Sequence, residues 1–117
     1  MRVLAIDTAL AACSAAVLDT EHGGIVASES LPMLRGHAEA LLPLLQRVMH
    51  QARLSFPEID RIAVTTGPGS FTGLRVGIAA ARGIALAADK PAVGLSTLSA
   101  YAAPHIASDE KIGRAHV

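Results

Sequence analysis

A glycine-rich turn between two apolar segments constrains the fold of this chain more than any other feature. The turn is Gly67-Pro68-Gly69-Ser70, and it joins segment 62–64 to segment 76–88. The first segment is apolar and partly β-branched, which predicts a buried strand. The second is rich in Ala, Ile and Leu, which predicts a helix. Pro68 fixes its own φ, the glycines can adopt φ > 0, and Ser70 or Thr72 can cap free amides of the helix. We therefore predict a strand, a tight turn and a helix start.

A turn of this kind can bind an anion, because free N–H groups and the helix dipole converge there. The known nucleotide motifs are incomplete, however. A P-loop needs Lys followed by Ser or Thr after its last glycine, but Leu74 and Arg75 follow Gly73. A dinucleotide fingerprint needs a glycine where Thr72 stands. Two interpretations stay open: the glycines serve turn geometry and close packing, or an anion or nucleotide loop is formed by Asp7, Gly67, Gly69, Ser70 and Thr72.

Composition narrows the class of protein. The chain has 117 residues, enough for one small domain, and 51% of them are hydrophobic, as in a folded chain with a core. Basic and acidic residues balance at 10 each, which argues against a protein that binds nucleic acid by bulk charge alone. The single cysteine, Cys13, excludes an internal disulfide and a cysteine-rich zinc site. A reducing cytoplasm is the simplest setting.

The order of elements predicts a mixed α/β fold. Segments 2–8, 13–18 and 25–31 read as an antiparallel meander of three strands. A helix follows through 41–52, then the strand, turn and helix around Gly67, a short strand at 92–95, and a final helix from Ser96 or Thr97 to Ala103. This order gives a mixed sheet with helices on its faces. Segment 76–88 contains Arg82 and is shorter than the ~20 residues of a membrane span, so we expect no membrane segment.

Small residues recur along one side of the second predicted helix. They are Gly73, Gly77, Ala80, Ala81 and Ala85. Small side chains allow another element to approach closely, and two interpretations stay open. The stripe packs on the chain's own sheet, or it packs on a partner's helix. The first predicted helix is also apolar around more than one face, which is typical of a buried helix or of an interface.

Several motifs together resemble the bacterial TsaB (YeaZ) family. The resemblance covers roughly residues 1–103 and is carried by Leu4–Thr8, Cys13–Val17, His37–Pro43, the block Gly67–Gly77 and Gly94–Leu98. It implies one lobe of the actin-like, sugar-kinase-like ATPase fold. Such a lobe is a ribonuclease-H-like mixed sheet, with a three-strand antiparallel meander, further parallel strands and flanking helices.

The resemblance also implies a function. Members of this family belong to the complex that installs threonylcarbamoyl on adenosine next to the tRNA anticodon. They are implied to be non-catalytic and cytoplasmic, to support the catalytic subunit TsaD together with the ATPase TsaE, and to form homodimers. We expect contact with tRNA to be indirect, no cofactor to be bound by this chain alone, and any ATP to bind at the partner complex. The implied interface lies on the first two helices, at His37, Leu41, Leu45, Met49, Leu74, Gly77, Ile78, Ala81 and Arg82.

An enzyme of the same fold, either ATP-dependent or metallopeptidase-like, is the alternative. The catalytic relative carries a His-x-x-x-His pair after the strand equivalent to 92–95, whereas residues 96–100 here contain no histidine. None of the five histidines of the chain has a partner at that spacing, so we expect no metal site. Ser70 does not fit the Gly-x-Ser-x-Gly nucleophile pattern, and we expect no catalytic residue.

The end of the chain departs from the family. Family members are about twice as long and carry a second lobe, so we predict a single lobe at 1–111, truncated before its companion. Residues 112–117, Ile-Gly-Arg-Ala-His-Val, resemble the translation of a sequencing adapter and are expected to be a non-native tail. We expect the surface that a second lobe would cover to cause poor solubility or self-association.

Overall fold

The computed structural model describes residues 1–21, 23–33 and 35–96, together with the backbone of 115–116. One short 3-10 turn at Phe56–Glu58 precedes the fourth strand. The helices are α1 (His37–Ala52) and α2 (Phe71–Ala88). The strands are β1 (Arg2–Asp7), β2 (Ala12–Asp19), β3 (Gly24–Pro32), β4 (Arg61–Gly67), β5 (Ala92–Ser96) and β6 (Ala115–His116).

The strands form one mixed sheet in the order β3-β2-β1-β4-β5-β6. Strands β1 to β3 pair antiparallel as a meander, and β4 and β5 run parallel to β1. The short β6 pairs antiparallel with β5. The predicted mixed sheet, with its meander and parallel strands, is therefore confirmed.

The core lies between one face of this sheet and the two helices. Leu4 and Ile6 of β1 stand beside Val17 and Ala15 of β2 and beside Ile62 and Val64 of β4, so these side chains share a face. Helix α1 covers β2 and β3, and α2 covers β4 and β1. Nearly all core side chains are aliphatic, as the low aromatic content predicts. Cys13 belongs to this core, and burial raises the pKa of its thiol.

Helix α2 begins at Phe71, five residues before the predicted start at Val76. Ser70 is the cause, because its side-chain oxygen accepts a hydrogen bond from the amide of Gly73 at 3.4 Å and so caps the first turn. The 18-residue helix is long and apolar enough to cross a membrane by length and composition, which corrects the expectation of a shorter segment. That match is weak evidence, since the core helix of a soluble protein passes the same test.

Two predictions, the final helix and the non-native tail, concern the C-terminal end of the chain. Ser96 is the last residue of β5, and the predicted helix from there to Ala103 lies outside the described residues. Of the predicted tail 112–117, only the backbone of Ala115–His116 is described. That residues 112–117 are a non-native tail stays a prediction.

Candidate functional site

The glycine turn is held tightly against the end of β1. Gly67 has φ 122°, in the left-handed region that favours glycine. Gly69 lies so close to the carbonyl of Ala9 that a Cβ atom there would overlap it. The amide of Ser70 donates to the same carbonyl at 2.7 Å. The structure therefore favours the interpretation in which these glycines serve geometry and packing.

The residues predicted for an anion loop are divided between two places. The Asp7 carboxylate accepts hydrogen bonds from the amide of Ala9 at 3.0 Å and from the hydroxyl of Thr65 at 2.9 Å. Asp7 borders a cavity on the sheet face that the two described helices leave open. Ser70 and Thr72 border a separate cleft on the helical side. Asp7 therefore borders a different cavity from Ser70 and Thr72, and a shared anion site stays a prediction.

The cavity on the open face measures about 270 Å³ and is almost wholly apolar. Small side chains from neighbouring strands form its floor. The lining includes Ala5, Ser14, Ala16, Ser28, Ala63, Thr65 and Leu95 beside Asp7. Both hydrogen bonds to the Asp7 carboxylate end on Oδ1, and few polar groups are exposed in the cavity, so its surface is mainly apolar.

The small-residue side of α2 packs on the chain's own sheet. Gly73, Gly77, Ala81 and Ala85 are the buried residues of the helix. The hydroxyl of Thr8 donates to the carbonyl of Gly73 at 2.6 Å, and a Cβ on Gly77 would overlap that hydroxyl. Of the two interpretations of the stripe, the structure supports packing on the chain's own sheet for these four residues.

Most of the residues expected at a partner interface lie in this core instead. Leu41, Leu45 and Met49 of α1 are at most 4% exposed, because they cover β2 and β3. Gly77 and Ala81 face the sheet from α2, and His37 is 6% exposed. This corrects the sequence-based expectation that these six residues contact a partner directly. Leu74 and Ile78 are half-buried and Arg82 is exposed, so these three can reach one.

An exposed stripe runs along the outer side of α2. Two large apolar side chains are widely open, Phe71 at 72% and Leu86 at 85% exposure. The Arg75 guanidinium lies 5.2 Å from the centre of the Phe71 ring. We call Phe71, Ile78, Arg82 and Leu86 the outer stripe. Phe71 and Leu86 were not predicted from the sequence, although they are spaced from Ile78 and Arg82 by about whole helical turns, which is a recognisable signal.

A polar cleft of about 470 Å³ lies where the N-termini of the two helices face each other. Its lining comes from both helix starts and comprises Arg35, Gly36, His37, Ala38, Glu39, Ser70, Thr72, Gly73 and Val76. The Nε2 atom of His37 is buried and has no hydrogen-bond partner in the described part of the chain. From the sequence, His37 was predicted at a partner interface, and Arg35 was not predicted at any site. Within the described ranges, no three His, Cys, Asp or Glu side chains are grouped to hold a metal ion.

This geometry defines a class of protein. A meander followed by parallel strands, with two helices on one face, is one lobe of an α/β protein of the actin-like ATPase fold. Residues 10–113 match the family model of TsaD, described as tRNA N6-adenosine threonylcarbamoyltransferase.

Similar proteins place the chain within this class. It is 42% identical over 102 residues to the Escherichia coli K12 "tRNA threonylcarbamoyladenosine biosynthesis protein TsaB", covering 87% of this chain and 43% of the relative. The solved structure of YeaZ from Pseudomonas aeruginosa superposes with a TM-score of 0.78 at 36% identity, covering 84% of this chain and 45% of that one. A tRNA N6-adenosine threonylcarbamoyltransferase of Erythrobacter litoralis is 34% identical, covering 94% of this chain and 32% of the relative.

The chain belongs to the TsaB (YeaZ) family, as the resemblance of its motifs predicts. It spans less than half the length of the TsaB relatives that it matches.

Proposed function

We propose that this chain is the N-terminal lobe of a non-catalytic subunit in the complex that installs threonylcarbamoyl on adenosine next to the tRNA anticodon. Its TsaB relatives are named for threonylcarbamoyladenosine biosynthesis, which supports the pathway. The outer stripe of α2 is the observation that carries the role in binding. Apolar side chains as exposed as Phe71 and Leu86, aligned on one helix, are typical of a surface that a partner covers.

The partner in this proposal is the catalytic subunit TsaD, with TsaE joining the complex. Arg75 and Arg82 flank the apolar side chains of the outer stripe, so the matching surface is apolar with acidic residues at its margin. On α1 the apolar side chain of Leu42 is also open to solvent, at 54% exposure. A homodimer would use the same helices. The zero net charge of the chain supports indirect rather than direct contact with tRNA.

ATP in this proposal acts at the partner complex and not at the glycine turn. Gly69 is packed on the carbonyl of Ala9, which gives this glycine a structural use in the turn. The Ser70 hydroxyl oxygen caps α2. This structural role does not support Ser70 as a nucleophile, and it does not support the alternative in which the chain is an enzyme. A cytoplasmic location is part of the proposal and is supported by the TsaB relatives, which are named for a tRNA modification pathway.

The domain limits remain part of the proposal. Residues 1–111 form one lobe of a longer protein, and 112–117 are a non-native tail. Re-sequencing the locus tests both the limit at residue 111 and the non-native origin of residues 112–117. An open reading frame that continues past Lys111 with a different sequence supports the proposal, and a stop codon after Val117 contradicts it.

Co-purification with the TsaD of the same cell tests the binding role. Leu86→Glu places a charge on the outer stripe at a position with almost no contacts inside the chain. Ile25→Glu on β3 is the matched control, because it is also a widely exposed aliphatic residue, 66% exposed, at the far edge of the sheet. We expect the wild type and Ile25→Glu to retain TsaD and Leu86→Glu to lose it. Equal retention by both variants would show that the outer stripe is not the interface.

A further inference from the structure

We propose that Arg75 and Arg82 make the outer side of α2 select an acidic partner surface over a second copy of this chain. This selectivity rests on the proposed binding role of the outer stripe and decides between its two candidate partners. The exposed Phe71 and Leu86 supply apolar area that either partner would cover, so the charges between them make the difference. The occupant is a partner helix that carries carboxylates among apolar side chains.

The two arginines hold equivalent places on the outer side of α2. Arg75 follows Phe71 by four residues. Arg82 precedes Leu86 by the same number, so both pairs are centred on one point of the helix. Residues about one turn apart lie on the same side of a helix, and all four side chains are exposed. The apolar residues therefore stand at the two ends of this side, with the charges between them.

No acidic side chain of α2 neutralises these charges. Phe71–Ala88 contains no Asp or Glu, and neither arginine has an ion-pair partner among the described residues. The Arg75 guanidinium lies 5.2 Å from the centre of the Phe71 ring, and this cation–π contact keeps the charge beside the apolar surface. Asp89 lies seven residues beyond Arg82. That separation is about 10 Å along a helix axis, roughly the distance over which salt screens a charge.

A second copy of the chain would bring like charges together. A two-fold dimer uses the same surface on both copies. With two α2 helices antiparallel and centred on each other, the apolar ends meet, but Arg75 of each copy faces Arg82 of the other. With the helices parallel, each arginine faces its own equivalent. Both arrangements place arginine against arginine, and close like charges oppose association.

A partner helix with carboxylates would turn the same two positions into attractive contacts. Seven residues separate Arg75 from Arg82, so two acidic side chains about two helical turns apart could reach both. A guanidinium binds a carboxylate through two parallel hydrogen bonds. Salt screens both kinds of contact, so it weakens attraction between opposite charges and relieves repulsion between like charges. The two associations should therefore respond to salt in opposite directions.

Measurements from about 0.05 M to about 0.5 M NaCl test this selectivity. Sedimentation equilibrium gives the self-association constant of the chain, and calorimetric titration gives its affinity for the TsaD of the same cell. We expect self-association of the wild type to strengthen by about tenfold over this range, the effect of relieving two exposed charge contacts. Binding of TsaD should weaken over the same range.

The double variant Arg75→Gln/Arg82→Gln removes both charges and keeps long polar side chains. At low salt it should self-associate about tenfold more tightly than the wild type, lose the salt dependence and bind TsaD more weakly. Arg53→Gln/Arg61→Gln is the matched control, because it removes the same total charge from two exposed arginines outside α2. It should keep the salt dependence of the wild type.

The two arms separate this selectivity from the proposed binding role. If the wild type did not bind TsaD at any salt concentration but self-associated more tightly in salt, the proposed partner would be wrong and the role of the arginines supported. Self-association that weakens with salt, or is equal in the two double variants, would overturn the selectivity. It would also be overturned if the wild type and Arg75→Gln/Arg82→Gln were both monomeric throughout.

Discussion

Two glycines on α2 have opposite surroundings and should respond oppositely to the same substitution. Gly77 faces the sheet, where an added Cβ would overlap the Thr8 hydroxyl and lie 3.4 Å from Val64. Gly77→Ala should therefore lower the free energy of unfolding by about 1–3 kcal/mol, the usual cost of overpacking. Gly83 is exposed with nothing within 4 Å of the added atom. Gly83→Ala should raise the free energy of unfolding by about 0.5–1 kcal/mol through helix propensity.

Urea denaturation of the two variants and the wild type measures both effects. The glycines lie on one helix and receive the same methyl group, so the difference between them reports their surroundings alone. If Gly77→Ala were as stable as Gly83→Ala, the inner side of α2 could not be packed on the sheet as described. The stripe of small residues would then be free for a partner.

At the scale of elements, a side-chain pair links the edge strand β3 to α1. The Nε atom of Arg47 donates to the Glu29 carboxylate at 2.9 Å. Hydrogen bonding from Arg47, helped by its charge, lowers the pKa of Glu29. The stabilisation is therefore present above the ordinary glutamate pKa of about 4.3 and is lost as the pH falls through the lowered folded-state value.

Acid unfolding should reveal this pair. We expect the wild type to lose stability below about pH 4.3 more steeply than Glu29→Gln, whose side chain does not titrate. The double variant Glu29→Gln/Arg47→Gln should follow the single variant, because the pair is absent from both. Parallel pH profiles for the wild type and Glu29→Gln would show that the contact contributes nothing in solution, as many exposed pairs do.

The strands and helices of the fold could be predicted from the sequence, but which face of a helix packs on the sheet could not. Apolar alternation located the meander, and the Gly-Pro-Gly-Ser turn located β4 and α2. Helix α2 has small residues on both sides, Gly77 inward and Gly83 outward, so its periodicity could not show which side meets the sheet. Arg35 and Thr72 line one cleft although they are distant in the sequence, and no local pattern encodes the proximity of distant segments.

At the scale of the whole molecule, the outer stripe should cause self-association. A widely exposed Phe71 and Leu86 on one helix favour burial against a second copy when no other partner is present. Light scattering during size-exclusion chromatography should give a mass that rises above the 12.0 kDa of the monomer as concentration increases. Leu86→Glu should hold the mass at the monomer value, whereas Ile25→Glu should not. A wild-type mass of 12.0 kDa at every concentration would contradict this expectation.

The buried Cys13 can serve as a probe of how often the core opens. Its thiol is fully enclosed, and burial raises the pKa of that thiol, so an alkylating reagent can react only during moments when the core opens. No other cysteine competes for the reagent. The labelling rate under native conditions would therefore report how often β2 separates from the helices, and comparing it with and without TsaD would show whether docking steadies the interior of the lobe.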